Sequence, residues 1–206
     1  GQNYLEVRAS DIVSRMPAPT TATTPDARTA AQATAAKPRS LRQIVAAAGR
    51  AHDIDTDLLA SVIEQESGGH THAVSRAGAR GLMQLMPATA KWVAGKLGLQ
   101  DFHTSLVTDI NTNLQLGAYY LKHVLGQLDD QPLLAAAAYN AGPGRARQWR
   151  DIRPLEGAIY AETIPFNETR DYVKVVLSNS MYYANNFGHP NKPTLKQRLG
   201  TVAPKR

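Results

Sequence analysis

The chain of 206 residues contains no cysteine, which excludes disulfides, thiolate–zinc sites and cysteine nucleophiles. Its longest apolar runs, such as Leu133 to Ala138, fall far short of the ~20 residues a membrane-spanning helix needs. A positively charged start followed by an apolar stretch is also missing, so no export signal is read in this chain. Residues 17–40 hold eight Ala, six Thr and four Pro but no Val, Ile, Leu, Met or aromatic residue. Such a stretch cannot bury enough apolar surface to offset its ordering entropy, and 17–39 reads as a linker. Before it, residues 1–16 read as a β-hairpin or the tail of a preceding domain, from the alternation around Ala9-Ser10-Asp11.

The final 18 residues, 189–206, lack acids entirely and carry five bases, which makes them a basic C-terminal tail. Net charge over the whole chain is +6, an excess that invites a nucleic-acid reading. Its distribution argues otherwise. Residues 1–40 carry +2 and 189–206 carry +5, so the body, 41–188, stands at −1. Hydrophobic residues make up 43% of the chain, enough for a sizeable core.

From Ser40 onward a helical period dominates. Ser40 can cap a helix to about His52, and a second runs from about Asp57 to Ser67 before Gly68-Gly69. Pro87 suits the first turn of a third that Gly98 ends, Thr108 can cap a long helix through Leu128, and Gln131 to Asn140 forms a fifth. A short sixth lies before Arg150, and Asn167 to Phe187 closes the domain. The stretches 68–86 and 151–166 show no helical pattern and are expected to hold short strands. The expectation is one mainly α domain over 40–188.

In the second helix one carboxylate is out of place. At 100° per residue Leu58, Leu59, Val62 and Ile63 form a stripe, and Glu66 falls in its middle while Glu64 faces away. Burial raises a carboxyl pKa, and the negative end of the helix dipole pushes the same way. A carboxylic acid kept protonated near neutrality is what a general acid for glycosidic cleavage requires. Helical phase alone also allows Glu66 to turn outward and pair with Arg76 or Arg80.

Four ordered stretches carry a resemblance: Ile63 to Ser67, Ser75 to Pro87, Ala137 to Gly144, and Glu162 to Val173. Together they resemble the catalytic domain of the soluble lytic transglycosylases, over roughly 40–188. The resemblance implies a lysozyme-like α+β fold, mainly α, and cleavage of the β-1,4 bond between N-acetylmuramic acid and N-acetylglucosamine in peptidoglycan. It implies 1,6-anhydromuramic ends, no cofactor, and a place in the periplasm or cell envelope. By the same resemblance Glu66 is the catalytic acid, and Ser67, Gln84, Met86, Tyr139, Asn140 and Glu162 contact substrate.

Each of those residues also has a plainer reading. Ser67 can cap the helix, Tyr139 can merely pack behind the small residues Ala135 to Ala138, and Asn140 can cap before Gly142. Without the resemblance Glu162 is surface; core is the plainer reading of Met86, and it is the preferred one for Met83 and Leu85. Asp109-Ile110-Asn111-Thr112-Asn113 mimics the opening of a calcium loop, but Leu114 stands where glycine is needed, so it reads as a helix start. His70 and His72 lack further ligands, and no metal site is expected. The expected partner is the peptidoglycan glycan strand, with weak electrostatic contact of the tail to an anionic wall or membrane, and no nucleic acid. A lysozyme-type hydrolase is the near alternative, and a non-catalytic wall-binding domain the more distant one.

Overall fold

The computed structural model describes residues 40–187 and 193–204, and several α-helices there begin on capping side chains or on proline and end on residues such as glycine that suit the free backbone groups. Helix α1 (Leu41–Ala51) opens on a reciprocal cap, with Gln43 N–H donating to Ser40 Oγ and Ser40 N–H to Gln43 Oε1. Helix α2 (Thr56–Ser67) stops at Gly68, whose φ of 59° suits a residue without Cβ. Helix α3 (Pro87–Lys96) begins on proline.

The long helix α4 (Ile110–Gln127) is capped by Asp109 rather than by Thr108 as expected. The Asp109 carboxylate accepts from both the N–H and the hydroxyl of Thr112, at 2.9 Å each, and these bonds lower its pKa. Thr108 instead ends a preceding 3-10 turn, Thr104–Thr108, where its hydroxyl donates to Ser105 O. Helices α5 (Pro132–Ala141) and α6 (Pro143–Gln148) follow, then strand β1 (Leu155–Glu156), helix α7 (Gly157–Thr163) and helix α8 (Asn167–Phe187).

Two readings of the sequence change here. The stretch 151–166 holds the helix α7 as well as a strand; its buried residues are only Gly157, Tyr160 and Ala161, too few turns for a period to show. Part of the basic tail is folded. Helix α9 (Leu195–Leu199) opens on a Thr194–Gln197 capping box, and strand β2 (Thr201–Val202) pairs antiparallel with β1, Leu155 opposite Val202. The expected hairpin and linker of 1–39 lie outside the described residues.

The main core gathers α1, α2, α4, α5 and α8, with Tyr160, Ile164 and Val202 from the C-terminal part. Helix α2 is buried at every residue from Thr56 to Ile63, and its most extensive packing is against α8. The run Leu133 to Ala138 is buried throughout, its four alanines letting α5 approach its neighbours closely. A second, smaller cluster around Leu85, Val93, Val107 and Leu116 joins α3 to α4.

Candidate active site

Helix α2 delivers Glu66 at its last turn, where the apolar stripe meets the edge of the core. The carboxyl is largely buried, and Oε1 accepts a 2.7 Å hydrogen bond from the phenol of Tyr172 on α8. Burial, which penalises the charged form, raises the Glu66 pKa from 4.5 to about 7; the Tyr172 bond opposes this and the nearby charge of Glu168 adds to it. The outward alternative, pairing with Arg76 or Arg80, is therefore not the arrangement found. Glu64 is exposed as expected, although Tyr183 Oη donates to it at 3.3 Å.

Tyr139, on α5, belongs to the same cluster. Its hydroxyl donates to Met83 O at 2.9 Å, its ring lies 5.3 Å from that of Tyr120, and Glu66 is among the charges acting on it. Burial keeps the phenols of both Tyr139 and Tyr172 well above their ordinary pKa, so each remains a donor.

The loop opposite the helix end is built on Gly78 and Gly81, with φ of 88° and 76°. Gly81 has no room for a side chain: a Cβ there would collide with Asn113 and Val107 O. Asn113, fully buried on α4, holds the loop from behind. Its Oδ1 accepts from Met83 N–H at 2.8 Å, and its Nδ2 donates to Arg80 O at 3.0 Å and to Val107 O at 2.7 Å. Ser67 ties the helix end to the same loop by donating to Leu82 O at 2.8 Å and to Ile63 O. Gln84, at φ 44°, uses its amide N–H groups on Ala73 O and Gly81 O, which leaves Oε1 as an acceptor. Met83 and Leu85 are core, while Met86, at the start of α3, is 42% exposed.

The remaining expected residues are spread more widely. Asn140 follows Tyr139 and accepts from the Thr169 hydroxyl at 2.7 Å through Oδ1, which joins α5 to α8. Glu162, near the end of α7, is exposed and paired with Lys174 at 2.6 Å; that lysine and Arg170 lower its pKa. Tyr172 and Asn113 were absent from the expected site. Asn113 is a polar group inside the apolar stripe of α4, the same signal that singled out Glu66, whereas the ring of Tyr172 satisfies the stripe of α8 and leaves no such signal.

A helix-dominated, lysozyme-like domain with a largely buried glutamic acid that accepts from a protonated phenol is the class these features define. Family-level comparison is specific about its kind: residues 43–158 match the transglycosylase SLT domain and residues 163–192 the soluble lytic transglycosylase helical domain. The chain belongs to the transglycosylase SLT family. It is 37% identical over 142 residues to the soluble lytic murein transglycosylase of Salmonella typhimurium, covering 68% of this chain and 22% of that protein. Among solved structures it resembles an inactive mutant of the lytic transglycosylase Slt from Pseudomonas aeruginosa, with 40% identity and a TM-score of 0.70 over 73% of this chain and 25% of that one. The 70-kDa soluble lytic transglycosylase of Escherichia coli gives 32% identity and a TM-score of 0.66, over 76% of this chain and 25% of that one. The chain spans about a fifth of the length of the soluble lytic murein transglycosylases it matches.

Proposed function

We propose that this domain cleaves the β-1,4 bond between N-acetylmuramic acid and N-acetylglucosamine in peptidoglycan without water, leaving 1,6-anhydromuramic ends. Protonated Glu66 gives its proton to the leaving glycosidic oxygen as the C1–O bond breaks. The resulting carboxylate then takes the proton of the muramic C6 hydroxyl as that oxygen closes on C1. One carboxyl serves as acid and base in turn, while the substrate's N-acetyl group supports the developing cation, so no second carboxylate is needed as nucleophile.

The observation that carries this reading is the Glu66 pKa of about 7 beside the Tyr172 donor. A group at that value is available in both protonation states at neutral pH, as an acid that must become a base requires. The inactive form of the Pseudomonas aeruginosa relative is a glutamate-to-glutamine mutant, which is consistent with reliance on a single carboxyl.

The other residues contact the glycan with the groups their internal bonds leave over. Gln84 offers Oε1, Asn140 its amide N–H groups, Ser67 a hydroxyl lone pair, and Met86 a soft apolar wall. Tyr139 acts chiefly on the loop and on Glu66, since its proton is committed to Met83 O. Glu162 meets the substrate rather than tuning Glu66, because the carboxylate acting on Glu66 is Glu168. The place of action is the periplasm or cell envelope, where peptidoglycan lies.

Digesting purified peptidoglycan and weighing the muropeptides tests the reaction. Anhydro ends, one water lighter than hydrolysed ends, are expected from the wild type and at most a trace of them from Glu66→Gln. Reducing ends throughout would mark a hydrolase, and undiminished lysis by Glu66→Gln would remove Glu66 from the mechanism.

A further inference from the structure

Residues 194–203 lie beyond both matched family regions, which end at 158 and 192, yet they grip the body at several points. Arg198 on α9 forms a buried ion pair with Asp57 in the first turn of α2. Val202 sits in the main core. Gln131 Nε2 donates to Thr201 O at 2.7 Å and Arg150 Nε to Ala203 O at 2.9 Å. Beside the β1–β2 ladder, Gly157 N–H donates to Gly200 O at 2.8 Å. Contact there is so close that a Cβ on Gly157 would collide with the Leu199 carbonyl.

The points gripped are not arbitrary. Asp57 opens the helix that ends on Ser67 just after Glu66, and β1 runs directly into α7, which carries Glu162. The segment thus links the root of one site-bearing helix to the root of the other. A buried ion pair is a poor source of net stability, because both charges give up water. Among the described residues Arg198 Nε and Nη1 also find no hydrogen-bond partner, which costs further. What such a pair does supply is position: one guanidinium in one place against one carboxylate, with Asp55 adding to the negative surroundings.

We propose that α9 and β2 form a strap, with Arg198 a positioning residue that, held by Asp57, sets where α7 begins and so presents Glu162 to the glycan. This rests on the substrate-contacting role given to Glu162 above.

The test uses the full chain and two disruptions. The double substitution Asp57→Asn with Arg198→Met removes the ion pair without leaving a buried charge. Gly157→Ala pushes the strap from β1 by a different route, should the first fail to fold. Each is combined with Glu162→Gln, and KM and kcat are measured on soluble glycan strands. The strap variant is expected to raise KM about fivefold with kcat little changed, and its effect should vanish, to within about twofold, in the Glu162→Gln background. Where Glu162→Gln itself raises KM, effects that simply multiply would overturn the proposal, as would a wild-type KM in a folded strap variant. Hydrogen exchange of the amides of 158–163 supplies a second reading, independent of Glu162. Faster exchange in the strap variant supports the strap even where Glu162→Gln itself proves silent, whereas unchanged exchange overturns it. Anhydro products from all variants keep this question separate from the reaction itself.

Discussion

The phenol of Tyr172 donates to the carboxyl of Glu66 at 2.7 Å across 106 residues of chain, joining α8 to the last turn of α2. Two opposed effects meet in that contact. Burial drives Glu66 toward its neutral form, and the phenol, itself kept protonated by burial, favours the ionised form. Burial is the larger effect, and the carboxyl settles near neutrality instead of at either extreme.

Replacing Tyr172 by Phe removes the hydrogen bond that lowers the Glu66 pKa. The alkaline limb of the pH dependence of kcat/KM should therefore move upward. Turnover should fall about tenfold as the carboxyl loses its fixed orientation. Rates between pH 5 and 9 check both; a downward shift of the limb would contradict the assigned balance.

Glu66→Gln should act on stability and on turnover in different ways. Folded Glu66 holds its proton up to about pH 7, against an ordinary 4.5, so the folded chain binds more protons than the unfolded one between those values. Stability of the wild type consequently falls as pH rises through that window. The glutamine variant avoids this and should be more stable above pH 7, by up to roughly 3 kcal/mol, with the advantage gone below pH 4.5. Urea unfolding at pH 4 and pH 8 measures the difference, and an equal offset at both would show that titration of Glu66 is not its cause. Turnover should drop by about 10²- to 10⁴-fold in the same variant.

The basic flank makes a separate prediction about the wall. Of the five bases in 189–206, Arg198 is buried against Asp57, so it is not available to a polyanion. Deleting the whole stretch would also remove the strap. Changing Lys196, Lys205 and Arg206 to Gln keeps Arg198 and the β2 residues, and should reduce retention on intact wall at low salt while leaving turnover on soluble strands unchanged. Retention equal to wild type would show that these charges do no tethering.

Much of this architecture could be read from residue patterns, and the exceptions have physical causes. Ser40, Gly68, Pro87 and Gly98 mark helix ends through local chemistry, so they were legible. Glu66 stood out because a charged group in an apolar stripe conflicts with its surroundings. Tyr172 escaped notice because most of a tyrosine is apolar, and it satisfies the stripe of α8 while its hydroxyl serves Glu66. Helix α7 and strand β2 escaped because each is too short to show a period; they exist through tertiary pairing with each other's neighbours. Arg198 read as one more surface base, since nothing local reveals that Asp57, 141 residues away, lies opposite it.

Asn113 illustrates how far a site depends on a residue that touches no substrate. Its side chain makes three bonds to the loop and the preceding turn, and Met83, whose N–H it receives, passes its carbonyl on to Tyr139. In Asn113→Asp the acceptor toward Met83 survives, but an ionised carboxylate would face the carbonyls of Arg80 and Val107 with no proton to give. The cost should be about 2–4 kcal/mol at pH 8. A buried aspartate facing carbonyls takes up a proton more readily than a free one, and the protonated acid can donate to one of them. Stability of this variant should therefore fall more steeply than that of the wild type as pH rises from 4.5 to 8. Activity should follow the same course, because Gln84 and Tyr139 are held through the same loop. Urea unfolding paired with kcat/KM across that range checks the link. A variant that loses stability while keeping wild-type kcat/KM would confine Asn113 to the scaffold.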